Sequence, residues 1–336
     1  MPTEEGANVT HDRYRPLDGQ RSPRFSGIRT FMRLPHVGEL DGVDAAVLGV
    51  PFDTATSFRA GTRFGPEAIR AVSGLLRPYN PLQDVEIFER LSCVDRGDLP
   101  VVPGNIDQTY ELVTAGLAPL ADRDIFPLVL GGDHSITLAE LRALSARHGP
   151  LSLIHLDSHA DTWDEYFGER YTHGTTFRRA AEENVIAPER SVQAGMRGSL
   201  YSRRDREIAA DLGFRVVDFE ELCAIGPQGL ARLVRERVGE APAFLSFDVD
   251  FVDPAFAPGT GTPEAGGPTS AEALRYVRAL RGIRLVGADC VEVSPPYDSP
   301  GQPTALLAAT VAWEMLALRA LAPDPASAPR TPTEVG

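Results

Sequence analysis

The stretch that most constrains this chain runs from Leu151 to Asp161, LSLIHLDSHAD, where an apolar run ends in three acidic or imidazole side chains spaced two residues apart. Mainly apolar residues feeding straight into polar chemistry predict a buried strand whose C-terminal end opens into a site. Strand alternation then puts Asp157, His159 and Asp161 on one face, with roughly 7 Å between successive Cα atoms of the three. FLSFDVDFVDP, from Phe244 to Pro254, repeats the design with Ser246, Asp248 and Asp250. A third segment, LVLGGDHS from Leu128 to Ser135, delivers Asp133 and His134 just past a Gly-Gly turn.

Asp157, Asp161, Asp248 and Asp250 would gather four negative charges at otherwise apolar strand ends. Buried carboxylates repel one another and lose hydration, so they either protonate or recruit cations. Two divalent cations neutralise four carboxylates, and His134 and His159 add neutral nitrogen donors. A mixed nitrogen and oxygen set without thiolate suits Mn(II) and accepts Co(II), Ni(II), Fe(II) or Zn(II). His155, one step further into the strand, reads as a core residue or a support for the ligands.

Around these segments, apolar runs alternate with helical spacing. Asp44 to Val50, Phe126 to Leu130, Ser191 to Met196, Phe214 to Val217 and Leu285 to Val293 read as strands, the last carrying Glu292 near its end. Asp107 to Leu120, Ser135 to Ala146, Gln228 to Val238 and Ala305 to Leu321 read as helices. This alternation predicts an α/β fold with a mostly parallel sheet covered on both faces and the site at the strands' C-terminal ends. Residues 1–21 read as a loose arm, 22–321 as a single domain and 322–336 as a Pro-rich disordered tail. Phe25, Phe31, Met32 and Leu34 need burial. The Gly/Arg loop before Pro66 has no Walker spacing and reads as a structural connection.

Composition excludes several classes. All 33 basic residues are Arg, so no lysine Schiff base can form. The net charge of -14 argues against a nucleic-acid partner and favours a cationic ligand. The three cysteines fall outside any CxxC spacing and read as reduced thiols. No signal-like segment and no membrane-spanning apolar run is present, so the expected location is cytoplasmic, without a membrane partner.

In combination, GGDHS (131–135), DSHAD (157–161) and SFDVDFVDPAFAPGTGTPEAGG (246–267) resemble the ureohydrolase family of arginases, agmatinases and guanidino-acid hydrolases. GTRFGPEAIR (61–70) and VEVSPPYD (291–298) extend the similarity across residues 22–321. The resemblance implies a three-layer αβα arginase-like fold with a parallel eight-stranded sheet and a homo-oligomer, trimer or hexamer. It implies two metal ions, usually manganese. His134, Asp157, Asp161 and Asp248 would hold one, and Asp157, His159, Asp248 and Asp250 the other. Between them the ions would activate a water that attacks a guanidinium carbon, releasing urea and an amine. Asp161 would relay a proton, His173 in HGTT would shuttle it, and Glu292 would hold the guanidinium. Two positions depart from the common pattern: Ser158, expected on the face opposite the metals, and Thr176, which could alter the substrate loop.

The loop after DSHAD, TWDEYFGERYTHGTTF, resembles the agmatinase branch. Trp163, Tyr166 and Phe167, with Asp164 and Glu165, would receive a distal ammonium, which favours agmatine cleaved to putrescine and urea. Arg170, Arg178 or Arg197 would instead pair with the carboxylate of 4-guanidinobutyrate or 3-guanidinopropionate. A catalytically silent metal-binding or assembly relative is the alternative of a different class.

Overall fold

The computed structural model describes residues 13–322. Its strands are β1 (Ala45–Val50), β2 (Tyr79–Asn80), β3 (Val85–Glu86), β4 (Cys93–Asp98), β5 (Phe126–Gly131), β6 (Ser152–Leu156), β7 (Val192–Met196), β8 (Arg215–Asp218), β9 (Ala243–Asp248) and β10 (Leu285–Val291). β2 and β3 pair as a small antiparallel hairpin. The other eight form one sheet in the order β4-β1-β5-β10-β9-β6-β7-β8, with every neighbouring pair parallel.

Parallel strands need helical crossovers, and the crossovers cover both faces. β1, β5, β6 and β9 are accordingly buried at every position. Alternation sorts their side chains into two cores. Leu128, Leu130, Ile154, Leu156, Leu245 and Phe247 pack with the helices Gly65–Ser73, Phe219–Val238, Ser270–Ala279 and Pro303–Ala320. Val129, Leu153 and Phe244 pack on the other side with Ile106–Ala121, Thr137–His148, Thr176–Glu182 and Arg203–Asp211. The result is a three-layer αβα sandwich. None of the described helices is long and apolar enough to cross a membrane.

The edge strand β4 has no counterpart among the expected elements. Its sequence, CVDRGD, lacks an apolar run because its buried Asp95 is satisfied by charge: Arg70 donates to it from Nε and Nη2 at 2.9 and 3.1 Å. The helix expected from Gln228 begins at Phe219 and is interrupted at Gly226, whose φ of 62° precedes Pro227 and hides the earlier turns from a periodicity reading. Within the expected arm, the stretch from Tyr14 to Leu17 is tied to the body of the fold. The amide of Tyr14 donates to Ser92 Oγ at 3.0 Å, its carbonyl accepts from Cys93, and Leu17 donates to the Arg33 carbonyl. Residues 1–12 and 323–336, the remainder of the arm and almost all of the tail, lie outside the described residues. Phe31, Met32 and Leu34 are buried, whereas Phe25 is 84% exposed.

Winding reverses between β5 and β6, which are separated in space by β10 and β9. A crevice opens at such a switch point beyond the carboxyl ends of the strands. The Gly131-Gly132 turn after β5 enters it. Gly132 donates to the Val50 carbonyl at 3.1 Å, and the next amide donates to Phe52. A Cβ on Gly132 would press on both of those carbonyl oxygens, which belong to backbone and cannot swing away. Gly132→Ala is therefore expected to destabilise the fold by about 1–3 kcal/mol, the usual cost of overpacking. Calorimetric melting with and without Mn(II) checks this, and an unchanged melting temperature would contradict the close approach.

Candidate metal centre

The polar side chains converge just past the strand ends. His134 opens the short turn His134–Ile136, Asp248 is the last residue of β9, and Asp250 lies in the turn Val249–Phe251 that follows. β6 stops at Leu156, so strand alternation does not carry Asp157, His159 and Asp161 to one point. The chain bends there, and Asp161 takes a left-handed backbone with φ 51°. For the same reason Ser158 does not face away: its hydroxyl donates to Asp250 Oδ1 at 2.7 Å.

His134 Nδ1 lies 3.1 Å from Asp157 Oδ2, 3.0 Å from Asp161 Oδ2 and 3.2 Å from Asp248 Oδ2. It is buried and has no hydrogen-bond partner. His159 Nδ1 lies 2.9 Å from Asp250 Oδ2 and 3.5 Å from Asp157 Oδ1. Two ligand groups therefore meet at Asp157, with His134, His155 and Asp161 on one side and His159 and Asp250 on the other. Burial, together with Asp250 and Asp157, pushes the Asp248 carboxyl well above its usual range, and burial beside Asp157 pushes Asp250 up to about 6. Burial acts to lower His134 and His159, but the surrounding carboxylates outweigh it and raise both. Such a crowd needs positive charge. Nitrogen and carboxylate donors turned inward around a common carboxylate fit two divalent cations without thiolate.

Hydrogen bonds behind the cluster fix its donors. His134 Nε2 meets Ser246 Oγ at 2.9 Å, and that hydroxyl donates to the buried Asp289 at 2.7 Å. Gln193 Nε2 lies 3.0 Å from His155 Nδ1, which directs the proton on His155 Nε2 to Asp157 Oδ2 at 2.7 Å. Arg197 donates to the carbonyls of Asp250, Phe251 and Glu264 at 2.7, 2.9 and 2.8 Å, bracing the turn that carries Asp250. Asp133 belongs to neither group; it accepts from the amides of Ser135 and Ala55 and from the Ser135 hydroxyl.

His173 is held by the turn His173–Thr175, which Thr172 and Thr175 cap reciprocally. Its Nε2 accepts from the Ser57 amide at 3.0 Å, so Nδ1 carries the proton that meets Glu292 Oε1 at 3.0 Å. Burial opposes a charge on this ring, but Glu292, Asp161 and Asp133 raise its pKa to about 9. Ser57 Oγ, 2.8 Å from Nε2, can accept the second proton. Glu292 has φ 64°, and its Oε1 also accepts from the His134 amide at 2.9 Å. Its Oε2 is buried and has no partner.

A cleft of about 1200 Å³ leads in, lined by Asp161, His173, Asp248, Asp250, Trp163 and Tyr166 among others. Trp163 stacks on Tyr166 with ring centroids 5.0 Å apart. Asp164 and Glu165 are not among the lining residues, and Asp164 accepts from Arg179 at 2.6 Å. Arg170 and Arg178 also lie off the cleft, each paired with Glu182, and Phe167 is 77% exposed. Sequence reasoning missed Ser57, Arg59 and Glu264. The first two sit in the Gly/Arg loop, which lines the cleft and is not merely a connection. Their roles depend on contacts across more than a hundred residues, and no local signal marks them.

The Arginase family model matches residues 43–317. Guanidinobutyrase from Pseudomonas aeruginosa is 48% identical over 90% of this chain and 96% of its own length. Guanidinopropionase from the same organism is 45% identical over 93% and 98%. The solved structure of proclavaminate amidino hydrolase from Streptomyces clavuligerus superposes with a TM-score of 0.85, at 43% identity, covering 89% of this chain and 99% of its own. With the sheet order, the cluster at the switch point and these matches together, the chain belongs to the arginase family and is a ureohydrolase.

Proposed function

We propose that the protein hydrolyses a small guanidino acid, of the 4-guanidinobutyrate or 3-guanidinopropionate type, to urea and the corresponding amino acid. The observation that carries the reading is Glu292 Oε2, a buried carboxylate oxygen without a partner beside the ligand cluster. A planar fork of guanidinium N–H donors is the natural complement to such an acceptor. The carboxylate tail is supported by the names of the most similar relatives reported above and by Asp164, whose charge is engaged by Arg179 and not offered to an ammonium. The stacked Trp163 and Tyr166 in the cleft favour agmatine as the second reading.

His134, Asp157, Asp161 and Asp248 would hold one cation, and Asp157, His159, Asp248 and Asp250 the other. When bound, the pair supplies Lewis acidity that activates water near neutral pH, with Mn(II) the preferred ion for this donor set. Water adds to the guanidinium carbon, and the C–N bond to the alkyl chain breaks. Glu292 keeps the guanidinium plane fixed while this happens. Asp161 accepts a proton from the attacking water, and His173 supplies one to the departing amine. The amide and hydroxyl of Ser57 serve the neutral and charged forms of that ring in turn.

Urea release from agmatine, 4-guanidinobutyrate, 3-guanidinopropionate, arginine and guanidine, with added Mn(II), tests the reading. The expected result is the highest kcat/KM on one of the two guanidino acids. Agmatine ahead of both would overturn the acid assignment, and no urea from any compound would overturn the hydrolase itself. Asp248→Ala, which deletes a shared ligand, is expected to cut turnover by more than the roughly 100-fold typical of residues that only support a ligand. Elemental analysis of the purified variant should show less bound metal, and full occupancy would contradict the bridging role. Each donor must shed its protons to bind a cation, so metal uptake should release protons and weaken as pH falls. Titration calorimetry in buffers of different ionisation enthalpy reads that release directly.

A further inference from the structure

The guanidinium of Arg59 stands apart from the other cations of the cleft. Arg197 is spent on backbone carbonyls, and Arg206 is paired with Asp218 at 2.9 Å. Arg59 lies over aromatic rings instead, 5.0 Å from the centroid of Tyr297 and 5.5 Å from that of Phe58. Among the described residues no carboxylate or carbonyl is paired with its guanidinium.

Its backbone is fixed. Two residues before it, Ser57 holds His173; two residues after it, the amide of Gly61 donates to the buried Asp53 at 2.8 Å. At Gly61 the loop packs against the segment after β10, for a Cβ there would come within 2.7 Å of Ser294 Oγ and 2.9 Å of Pro296 Cγ. That same segment carries Glu292 at one end and Tyr297 at the other. A Cβ on Gly261 would stand 3.0 Å from the Arg59 carbonyl and 3.5 Å from Glu292 Oε2, so only the width of a small residue separates the two.

We propose that Arg59 is the residue that reads the distal carboxylate of the substrate, an inference that rests on the hydrolase reading given above. A guanidino acid brings a cation and an anion to a cleft whose floor is lined by Asp161, Asp248 and Asp250. Its guanidinium suits the free Oε2 of Glu292, and its carboxylate, which loses water on entering the cleft, needs a cationic donor in turn. Arg59 offers a planar pair of donors, and the faces of Tyr297 and Phe58 hold the plane. Both ends of the ligand are then gripped by one packed unit, Glu292 and Arg59, which sets the length of chain that fits between them.

The test compares kcat/KM for 4-guanidinobutyrate with that for n-butylguanidine, which has the guanidinium but no carboxylate, in the Mn(II)-loaded protein. Arg59→Gln should lower that ratio about 10- to 100-fold, the loss typical of a hydrogen-bonded charge, with the change falling mainly on KM. Arg59→Lys, which keeps the charge but loses the planar fork and its stacking, should lower the ratio less than Arg59→Gln does, and it serves as the readout should the Gln variant lose all turnover. A ratio unmoved by Arg59→Gln, as when kcat/KM falls equally for both substrates, or a ratio lowered as far by Arg59→Lys as by Arg59→Gln, would overturn the assignment while leaving the hydrolase intact. No urea from any guanidine in the unaltered protein would remove the hydrolase reading and this inference with it.

Discussion

Mutual repulsion among carboxylates gathered at the end of an apolar sheet is the constraint to which the rest of this structure answers. Asp157, Asp248 and Asp250 are almost wholly shielded from water, and each lies at or just beyond the last residue of a buried strand. Charges of one sign in such a place destabilise the fold unless cations or protons offset them. The neighbouring side chains keep the donors aimed. Ser158 holds Asp250, His155 holds Asp157, Ser246 with Asp289 holds His134, and Arg197 staples the turn beneath Asp250 to the loop that carries Glu264. Outer partners of this kind fix ligand orientation and raise ligand basicity.

Two of the site residues also store backbone strain. Asp161 and Glu292 both adopt left-handed conformations, which cost a side-chain-bearing residue roughly 1–2 kcal/mol each. The surroundings over-determine both. Phe177 donates its amide to the Asp161 carbonyl, and Glu292 donates its own to Gly132 while its carboxylate takes the His134 amide and the His173 ring. Strain that persists under so many restraints is characteristic of positions selected for where they point.

Much of the fold and the cluster was legible in the sequence because both rest on local pattern. Apolar runs are visible wherever a parallel strand is buried on both faces; those of β5, β6 and β9 lead into Asp or His, β1 runs into Pro51, and β10 leads into Glu292. β4 was not legible, since its buried Asp95 is answered by Arg70 from a distant helix and leaves no apolar signature. The motifs drew Asp157, His159 and Asp161 together, but through strand alternation, whereas the chain bends after Leu156; Ser158 was misdirected by the same assumption. Ser57 and Arg59 could not be read at all. Their meaning lies in proximity to His173 and to the segment after β10, and nothing in SFRAG itself expresses it.

The two halves of the site come from different parts of the chain. Every donor of the ligand cluster ends or follows β5, β6 or β9, whereas Ser57, Phe58 and Arg59 follow β1, Tyr297 belongs to the segment after β10, and the stacked Trp163 and Tyr166 sit on the loop that begins after Asp161. Substitutions in the outer loops can thus retune what enters without disturbing the charges beneath. Such a division of labour leaves the entrance free to change its clientele while the inward-turned donors keep their places.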